Sequence, residues 1–549
     1  MDADLLSIQD ARDAVRAAHA AYKQFKTADQ ATVDRIVAAM VEAGAAEARR
    51  LGQMAHDETG FGKPESKEQK NLFATRTLAE RMAGMKTAGI VEKSADGTVW
   101  TVATPMGVVA ALVPSTNPTA TAFYKAIIAV KARCGIVMSP HPRAVRCTNE
   151  AAHVVAEAAV EAGAPRGLVA CLGGGEAGVT LAGTDALLEH ELTDVILATG
   201  GGAMVRAAYS KGKPAYGVGS GNVPAYVDRS ANVEKAAADI LTGTSFDWGT
   251  LCSTERSVVA DSPIRSRLLD ALRQRGGHVC SEDETRKLRA IIKPGGRFNT
   301  DIVGQSPRRI AEMAGFSVPE SAKALIAEVD AVGPGEPLSM ETLSPILSFY
   351  VADGWEAGCA RCIEVLEFGG IGHTLALHAT ADRVIEQFAL EKPSMRIVVN
   401  TVAALGSVGM TTNLFPSMTL GPGTIGGSIT SDNVTPMHLV NLKRVAFETA
   451  PLNDDAGAAL EAGTEQGTRR GRSTATTAPA RPVRQPAGGD GSWMDEIEAR
   501  LVARAGNPSP GPAGGGRQPG GAGRPEAPRS STLPLPDAQV EALVRKFRK

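Results

Sequence analysis

Apolar positions in the first hundred residues recur every three to four places. "SIQDARDAVRAAHAAYKQF" and "ATVDRIVAAMVEAGAAEARRLGQMAHDETG" carry that spacing and predict helices. From about residue 106 the pattern changes. Short unbroken apolar runs ("GVVAALVPS", "GIVMSPHP", "GLVACLGG", "DVILATGG") alternate with stretches of helical length and period, such as "TATAFYKAIIAVKA" and "TNEAAHVVAEAAVEAGAP". In the last of these, Thr148 or Asn149 is the expected cap and Gly163 the expected stop. Strands apolar on both faces and separated by helices predict a parallel sheet covered on both sides. A second α/β stretch spans about 230–420, with "RSVVADS", "IRSRLLDALRQRGG", "PILSFYVAD" and "IVVNTV".

The alternation stops near residue 450. Residues 451–491 and about 507–532 are rich in Ala, Gly, Pro, Thr and Arg and poor in large apolar side chains. Such segments bury too little surface to offset the entropy of ordering, so they read as flexible linkers. Two short amphipathic stretches interrupt and follow them. Trp493, Ile497 and Leu501 line one face of 492–506; Val540, Leu543, Val544 and Phe547 line one face near the C-terminus, with Arg545, Lys546, Arg548 and Lys549 around them. A short helix beyond a long linker needs a partner surface, because it has no core of its own.

Composition narrows the class. The chain has 549 residues, too many for one typical domain. A net charge of −2 gives no general case for nucleic-acid binding. No apolar run of membrane-spanning length and no leader pattern is visible, so a cytoplasmic location is expected. The seven cysteines are scattered and odd in number, which favours reduced thiols over a disulfide framework. Cys359 and Cys362 form a C-x-x-C inside a helical pattern with no second ligand pair, so no metal is expected.

Two features bear on chemistry. "ATGGGAMVRAA" follows a strand and opens a helix, where small residues let backbone N–H groups approach a diphosphate; "GGGEAG" (Gly173–Gly178) reads better as a turn. Cys252 in "SFDWGTLCSTERSVV" sits between a small-residue turn and a strand. It is either a nucleophile, with its own N–H as an oxyanion donor, or a small buried residue. Asn117 before Pro118 reads on its own as a turn-former.

"SFDWGTLCSTERSVV" resembles the catalytic-cysteine segment of the aldehyde dehydrogenase superfamily. More narrowly it is similar to the CoA-acylating branch, which includes the aldehyde-dehydrogenase half of bifunctional aldehyde–alcohol dehydrogenases. The likeness covers about residues 5–450 and includes "PSTNPT", "SPHPRA", "ILATGG", "GKPAYGVGSGNVP", "IVGQSPRRIAEMAGFSVP", "LSPIL" and "GGIGHT", in order and spacing. It implies an aldehyde dehydrogenase-like α/β fold: a Rossmann-like NAD(P)-binding domain over 1–229, with an oligomerisation arm near 92–106 and 438–450, and a catalytic thiol domain over 230–437. It also implies a homodimer or homotetramer.

The resemblance assigns roles residue by residue. Cys252 matches the nucleophile and Asn117 the side-chain oxyanion donor. Thr199, Gly200 and Gly201 match the turn over the cofactor phosphates, with Gly219 close by. Ser139, Pro140 and His141 match the strand end near the adenosine ribose, and Glu341 a glutamate at the nicotinamide ribose. His373 matches a histidine of this branch, either helping to deprotonate CoA or serving as a hydrogen-bonded structural residue. Hydrolytic members carry a glutamate base in E-L-G-G-x-x-P; here the segment is "VGSGNVP", with Val218 in its place. Valine cannot activate water, so the acyl-enzyme is expected to await CoA. Where many NAD-preferring relatives hold a ribose-binding glutamate, this chain has Pro142, and the neighbouring lysine place is Ser139. NAD is the expected cofactor, with NADP open.

The tail resembles the encapsulation peptides of bacterial microcompartment cargo enzymes. It implies that helix 533–549, beyond linker 451–532 with its helix 492–506, docks on a shell protein. A membrane-surface role for the basic helix is the weaker alternative. The expected activity is oxidation of a short-chain aldehyde to its acyl-CoA inside such a compartment. The alternatives are a hydrolytic NAD-dependent enzyme releasing a free acid and an inactive scaffold.

Overall fold

The N-terminal periodic stretch folds into α1 (Ala3–Phe25), α2 (Gln30–Ala46) and α3 (Ala48–Thr59). One sequence period becomes two helices because Glu47, at φ −91° and ψ 4°, leaves helical geometry between α2 and α3. α4 (Pro64–Leu72) begins on a proline and runs through a π-helical turn, Phe73–Thr77, into α5 (Leu78–Met82). The structure, a computed structural model, describes residues 2–175 and 178–450, so the predicted linkers and both tail helices lie outside the described residues.

β1 (Gly89–Lys93) and β2 (Val99–Pro105) pair antiparallel, and β15 (Val440–Ala446) joins β2 from the other end of the chain. The first large sheet holds β3 (Val108–Val113), β4 (Gly135–Pro140), β5 (Val169–Cys171), β6 (Val195–Thr199) and β7 (Ala215–Val218). Its order is β5-β4-β3-β6-β7 and every pair is parallel. Every residue of β3, β4 and β6 is buried. Their unbroken apolar runs follow from covering both faces, by α6 (Pro118–Lys131), α7 (Val145–Glu161), α8 (Leu181–Glu189) and α9 (Gly202–Tyr209) among others.

α7 starts earlier than its sequence suggests, so neither Thr148 nor Asn149 caps it. Both lie inside the first turns and bond back to Ala144 O and Val145 O. The free amides of Arg146 and Cys147 are taken by the Glu58 carboxylate of α3, at 2.8 and 2.7 Å. A side chain 88 positions away does what a local cap would do. The helix stops where expected, with Gly163 at φ 102° just beyond it.

The second sheet is wholly parallel, in the order β10-β11-β12-β9-β8-β13-β14. Its strands are β8 (Val223–Val227), β9 (Glu255–Asp261), β10 (Gly277–Val279), β11 (Ala324–Glu328), β12 (Ile346–Ala352), β13 (Leu375–His378) and β14 (Ile397–Val399). Because β8 belongs here, the chain passes between sheets at residues 219–222, a few positions before the expected 229. The segment after β14 differs more from expectation. Val402, Ala404, Val408, Met418, Leu420, Val434 and Leu439 pack into the core shared by α2, α6 and the first sheet. Tyr124 of α6 donates its hydroxyl to Val434 O at 2.5 Å. Much of 402–439 therefore returns to the first layer, while Ala403 stays with the core of the second sheet. Cys359 and Cys362 are both buried in the second core.

Candidate functional site

Strand order reverses between β3 and β6: one connection leaves β3 toward β4, and the chain later returns to β6 on its other side. The crevice beyond the carboxyl ends at such a switch point is the expected ligand position in an open α/β sheet. Ser115–Asn117 follow β3 there and Gly200–Gly201 follow β6. Beneath it the wholly buried Lys125 of α6 donates to Leu112 O at 2.6 Å and Leu197 O at 2.8 Å, tying β3 to β6.

A cavity of about 200 Å³ opens at this point. Asn117, His141, Thr199, Gly200, Gly201, Val218, Gly219, Cys252 and Glu341 all line it. A second cavity is lined by Ser139, Pro140, His141, Thr184, Asp185 and Leu188. His141 and Met204 line both, so the two form one trough. α9 opens at its middle with Gly201 as N-cap, with no side-chain capping bond and with open space where a Cβ would stand. First-turn amides at an open, uncapped helix start suit a diphosphate. The sequence leaves the far end without a carboxylate; the fold brings Asp185 of α8 there, paired with Lys211 at 2.8 Å.

Cys252 sits just before β9, on a loop of unusual shape. Asp247 (φ 48°), Trp248 (φ 50°) and Gly249 (φ 73°) are all left-handed. Two buried groups hold the loop. The Asp247 carboxylate accepts from Lys63 N at 2.6 Å, Thr250 Oγ1 at 2.5 Å, Lys67 Nζ at 3.2 Å and Lys70 Nζ. The Arg256 guanidinium donates to Gly249 O, to Leu251 O at 3.2 Å and to Ser344 O at 2.9 Å. Burial raises the Cys252 thiol well above its ordinary acidity range, and the Glu341 carboxylate adds to that; Arg396 and Arg256 oppose it. The resting thiol is therefore protonated.

Asn117 opens α6 but makes no capping bond. Its Nδ2 donates to Thr116 Oγ1 at 3.1 Å and Thr250 O at 3.2 Å, and its Oδ1 accepts from Lys70 Nζ. The side chain is committed to the cysteine loop, not to a local turn. Burial raises the Glu341 carboxyl to about 7, while Arg256 and the bond from Gly221 N at 3.1 Å lower it. His373 is not in the cavity wall. A Cβ at Gly221 would meet Cys252 O at 2.2 Å and the His373 ring at 3.0 Å, so the imidazole lies behind Gly221, beside the cysteine backbone. Its Nδ1 meets Thr374 Oγ1 at 3.0 Å and its Nε2 has no partner. Burial, with Arg396 nearby, lowers it to about 3 and keeps it neutral.

Sequence reasoning missed Lys67, Lys70, Asp247, Arg256 and Lys125. "PESKEQKNL" is almost wholly polar, yet Ser66, Lys67, Lys70 and Asn71 are its buried face. Among the described residues one group offers three metal-type donors, His278, Cys280 and Glu284. Its carboxylate already caps the helix Glu282–Ile292 and bonds the imidazole at 3.2 Å.

Comparison with known proteins gives a consistent result. Residues 2–287 match the aldehyde dehydrogenase family. The chain is 40% identical over 432 residues to the bifunctional aldehyde-alcohol dehydrogenase AdhE of Escherichia coli (strain K12), covering 78% of this chain and 48% of that protein. It thus spans about half the length of the first curated relatives it matches. It is 36% identical to the sulfoacetaldehyde dehydrogenase (acylating) of Cupriavidus necator, covering 80% of this chain and 90% of that one. The crystal structure of an acetylating aldehyde dehydrogenase from Geobacillus thermoglucosidasius superposes with a TM-score of 0.81 at 47% identity, over 83% of this chain and all of the other. No helix among the described residues is long and apolar enough to cross a membrane.

Proposed function

The chain belongs to the aldehyde dehydrogenase family, and from that premise we propose that it is CoA-acylating: a short-chain aldehyde, CoA–SH and NAD⁺ give acyl-CoA, NADH and a proton. The observation that carries this reading is Val218 in the wall of the Cys252 cavity, where hydrolytic relatives resemble one another in carrying a glutamate. The acylating and acetylating relatives above support it.

In this reading Cys252 Sγ bonds to the aldehyde carbon and its proton passes to Glu341, the cavity carboxylate poised near neutrality. The alkoxide that forms is held by the Cys252 N–H and by Asn117 Nδ2, whose hydrogen now given to Thr116 Oγ1 at 3.1 Å would turn to the substrate oxygen. A bound nicotinamide supplies the two-electron acceptor that turns the thiohemiacetal carbon into a thioester. The chain's residues fit such a group: the open start of α9 for the diphosphate, Ser139–His141 for the adenosine end, and Glu341 for the inner ribose. Asp185 at the outer end is a carboxylate that could take the ribose hydroxyls of NAD, while the Lys211 ammonium paired with it keeps NADP open. Glu341 releases its first proton to solvent and takes the CoA–SH proton; the CoA sulfur bonds to the thioester carbon, and collapse of the second oxyanion expels the Cys252 thiolate, which takes that proton from Glu341 and restores the resting thiol. His373, buried behind Gly221 and neutral, is not in the wall of this cavity and is suited to support the cysteine backbone, not to take the thiol's proton.

One observation favours hydrolysis as a second reading: Glu341 is a carboxylate in the same cavity. The finer proposal, that the enzyme is microcompartment cargo, rests on the amphipathic stretch 533–549 behind its linker. The test is dinucleotide reduction with a panel of short aldehydes, with and without CoA, and the product identified by mass. Sustained turnover only with CoA, giving an acyl-CoA, is the expected result. Sustained turnover to a free acid without CoA overturns the acylating reading.

A further inference from the structure

The oxyanion reading depends on which way one amide faces. The two ends of an asparagine amide are nearly the same in size, and only hydrogen-bond partners distinguish them. Here both partners are unambiguous. An ammonium can only donate, and Lys70 Nζ lies 2.5 Å from Asn117 Oδ1. A backbone carbonyl can only accept, and Thr250 O lies 3.2 Å from Asn117 Nδ2. A flipped amide would set NH₂ against NH₃⁺ and oxygen against oxygen.

We propose that Lys70 is a positioning residue for acyl transfer: through its bond to Oδ1 it locks the Asn117 amide with its N–H groups toward the nucleophile loop. The proposal rests on the reading of Asn117 as oxyanion donor. Lys70 is itself fixed, 2% exposed, by Asp247 and by Thr250 Oγ1 at 3.4 Å, so helix α4, the cysteine loop and the start of α6 meet on one nitrogen. Lys67 shares the same carboxylate and also donates to Thr116 O at 3.3 Å. Two lysines against one aspartate leave the buried trio with one net positive charge behind the amide. An amide polarised by that charge is a stronger donor to an oxygen that becomes negative in the transition state. Desolvation pulls Lys70 down to about 8 and Asp247 opposes it, so the amine is charged at neutral pH.

The experiment is a double-substitution cycle on the full chain, read as the single-turnover rate of dinucleotide reduction without CoA. Lys70→Met is expected to slow that step about 100-fold, the scale of losing one oxyanion donor. KM for the dinucleotide and the rate of Cys252 alkylation by iodoacetamide should stay within about threefold in the same variant. In an Asn117→Ala background, Lys70→Met should change the rate by less than about threefold, because the lysine acts through the amide. Equal losses in both backgrounds, or no loss in the native one, overturn the proposal while leaving Asn117 as the donor. If Asn117→Ala alone leaves the rate unchanged, the oxyanion reading falls and the proposal with it. Lys70→Ala with added ethylammonium guards against misfolding. Rescue with Asn117 present and none in Asn117→Ala supports the relay; equal rescue in both overturns it.

Discussion

At Val218 an apolar side chain lines the cavity in the position where a water-activating carboxylate would have to stand. Val218→Glu is therefore expected to raise CoA-independent release of free acid at least about tenfold, general-base catalysis being worth 10²–10⁴ when well placed. Product analysis by mass without CoA checks this; an unchanged acid yield would mean that access, not the missing base, limits hydrolysis. A second residue-scale prediction concerns Glu255, wholly buried on β9, with Oε1 accepting from Ala403 N at 2.6 Å and Oε2 unpartnered. Burial raises this carboxyl to about 8. Between its unfolded acidity, near 4.5, and about 8 the native state holds a proton that the unfolded chain has lost, so stability falls as pH rises through that window. Glu255→Gln keeps the acceptor and removes the titration. Its unfolding free energy, from denaturant titration, should fall less steeply than the parent's from pH 5 to 8, by up to about 1.4 kcal/mol per pH unit. Parallel curves would refute a protonated Glu255. Local chemistry left Cys252 open between nucleophile and buried residue and made the strand-to-helix glycines a candidate diphosphate turn; the family resemblance is what singled them out. Lys70, Asp247 and Arg256 were not legible in the sequence. A lysine in a polar helix reads as solvated until a carboxylate 177 positions away is folded onto it.

At the scale of elements, the loop before Cys252 is shaped by its contacts with α4. Left-handed geometry at Asp247 and Trp248 is unfavourable for both residues and is held by surrounding bonds. Gly62 is the seat for the Asp247 carboxylate: a Cβ there would lie 1.9 Å from Oδ1, and its φ of 69° also disfavours any side chain. Gly62→Ala should lower the melting temperature and slow acyl-enzyme formation together, because one displacement moves both the buried ion pairs and the nucleophile loop. Calorimetry alongside the single-turnover rate checks this; destabilisation with an unaltered rate would uncouple loop from lysines. Strands and helices were readable from apolar period because parallel strands buried on both faces leave an unmistakable run. Their ends were less so. α7 is capped by Glu58 from α3, and no window around Thr148 contains that information.

For the whole molecule, the predicted tail makes a separable claim. Deleting 533–549 should leave turnover intact and abolish co-localisation with a shell protein; encapsulation of the truncated form would sink the cargo reading unless 492–506 substitutes. Truncation a hundred residues earlier should behave differently. A parallel sheet followed by a second α/β stretch was foreseeable, but the return of Val408, Met418, Leu420, Val434 and Leu439 to the first core was not, since an apolar residue does not announce which of two cores it enters. That return has a consequence for biosynthesis. A nascent chain grows from its N-terminus, and domains ordinarily close in that order. Here the first sheet leaves the ribosome early with part of its hydrophobic filling still unmade, and it waits for Val434 and Leu439 to be translated. The half that is synthesised first thus cannot close its core until the last of the folded segment has been made.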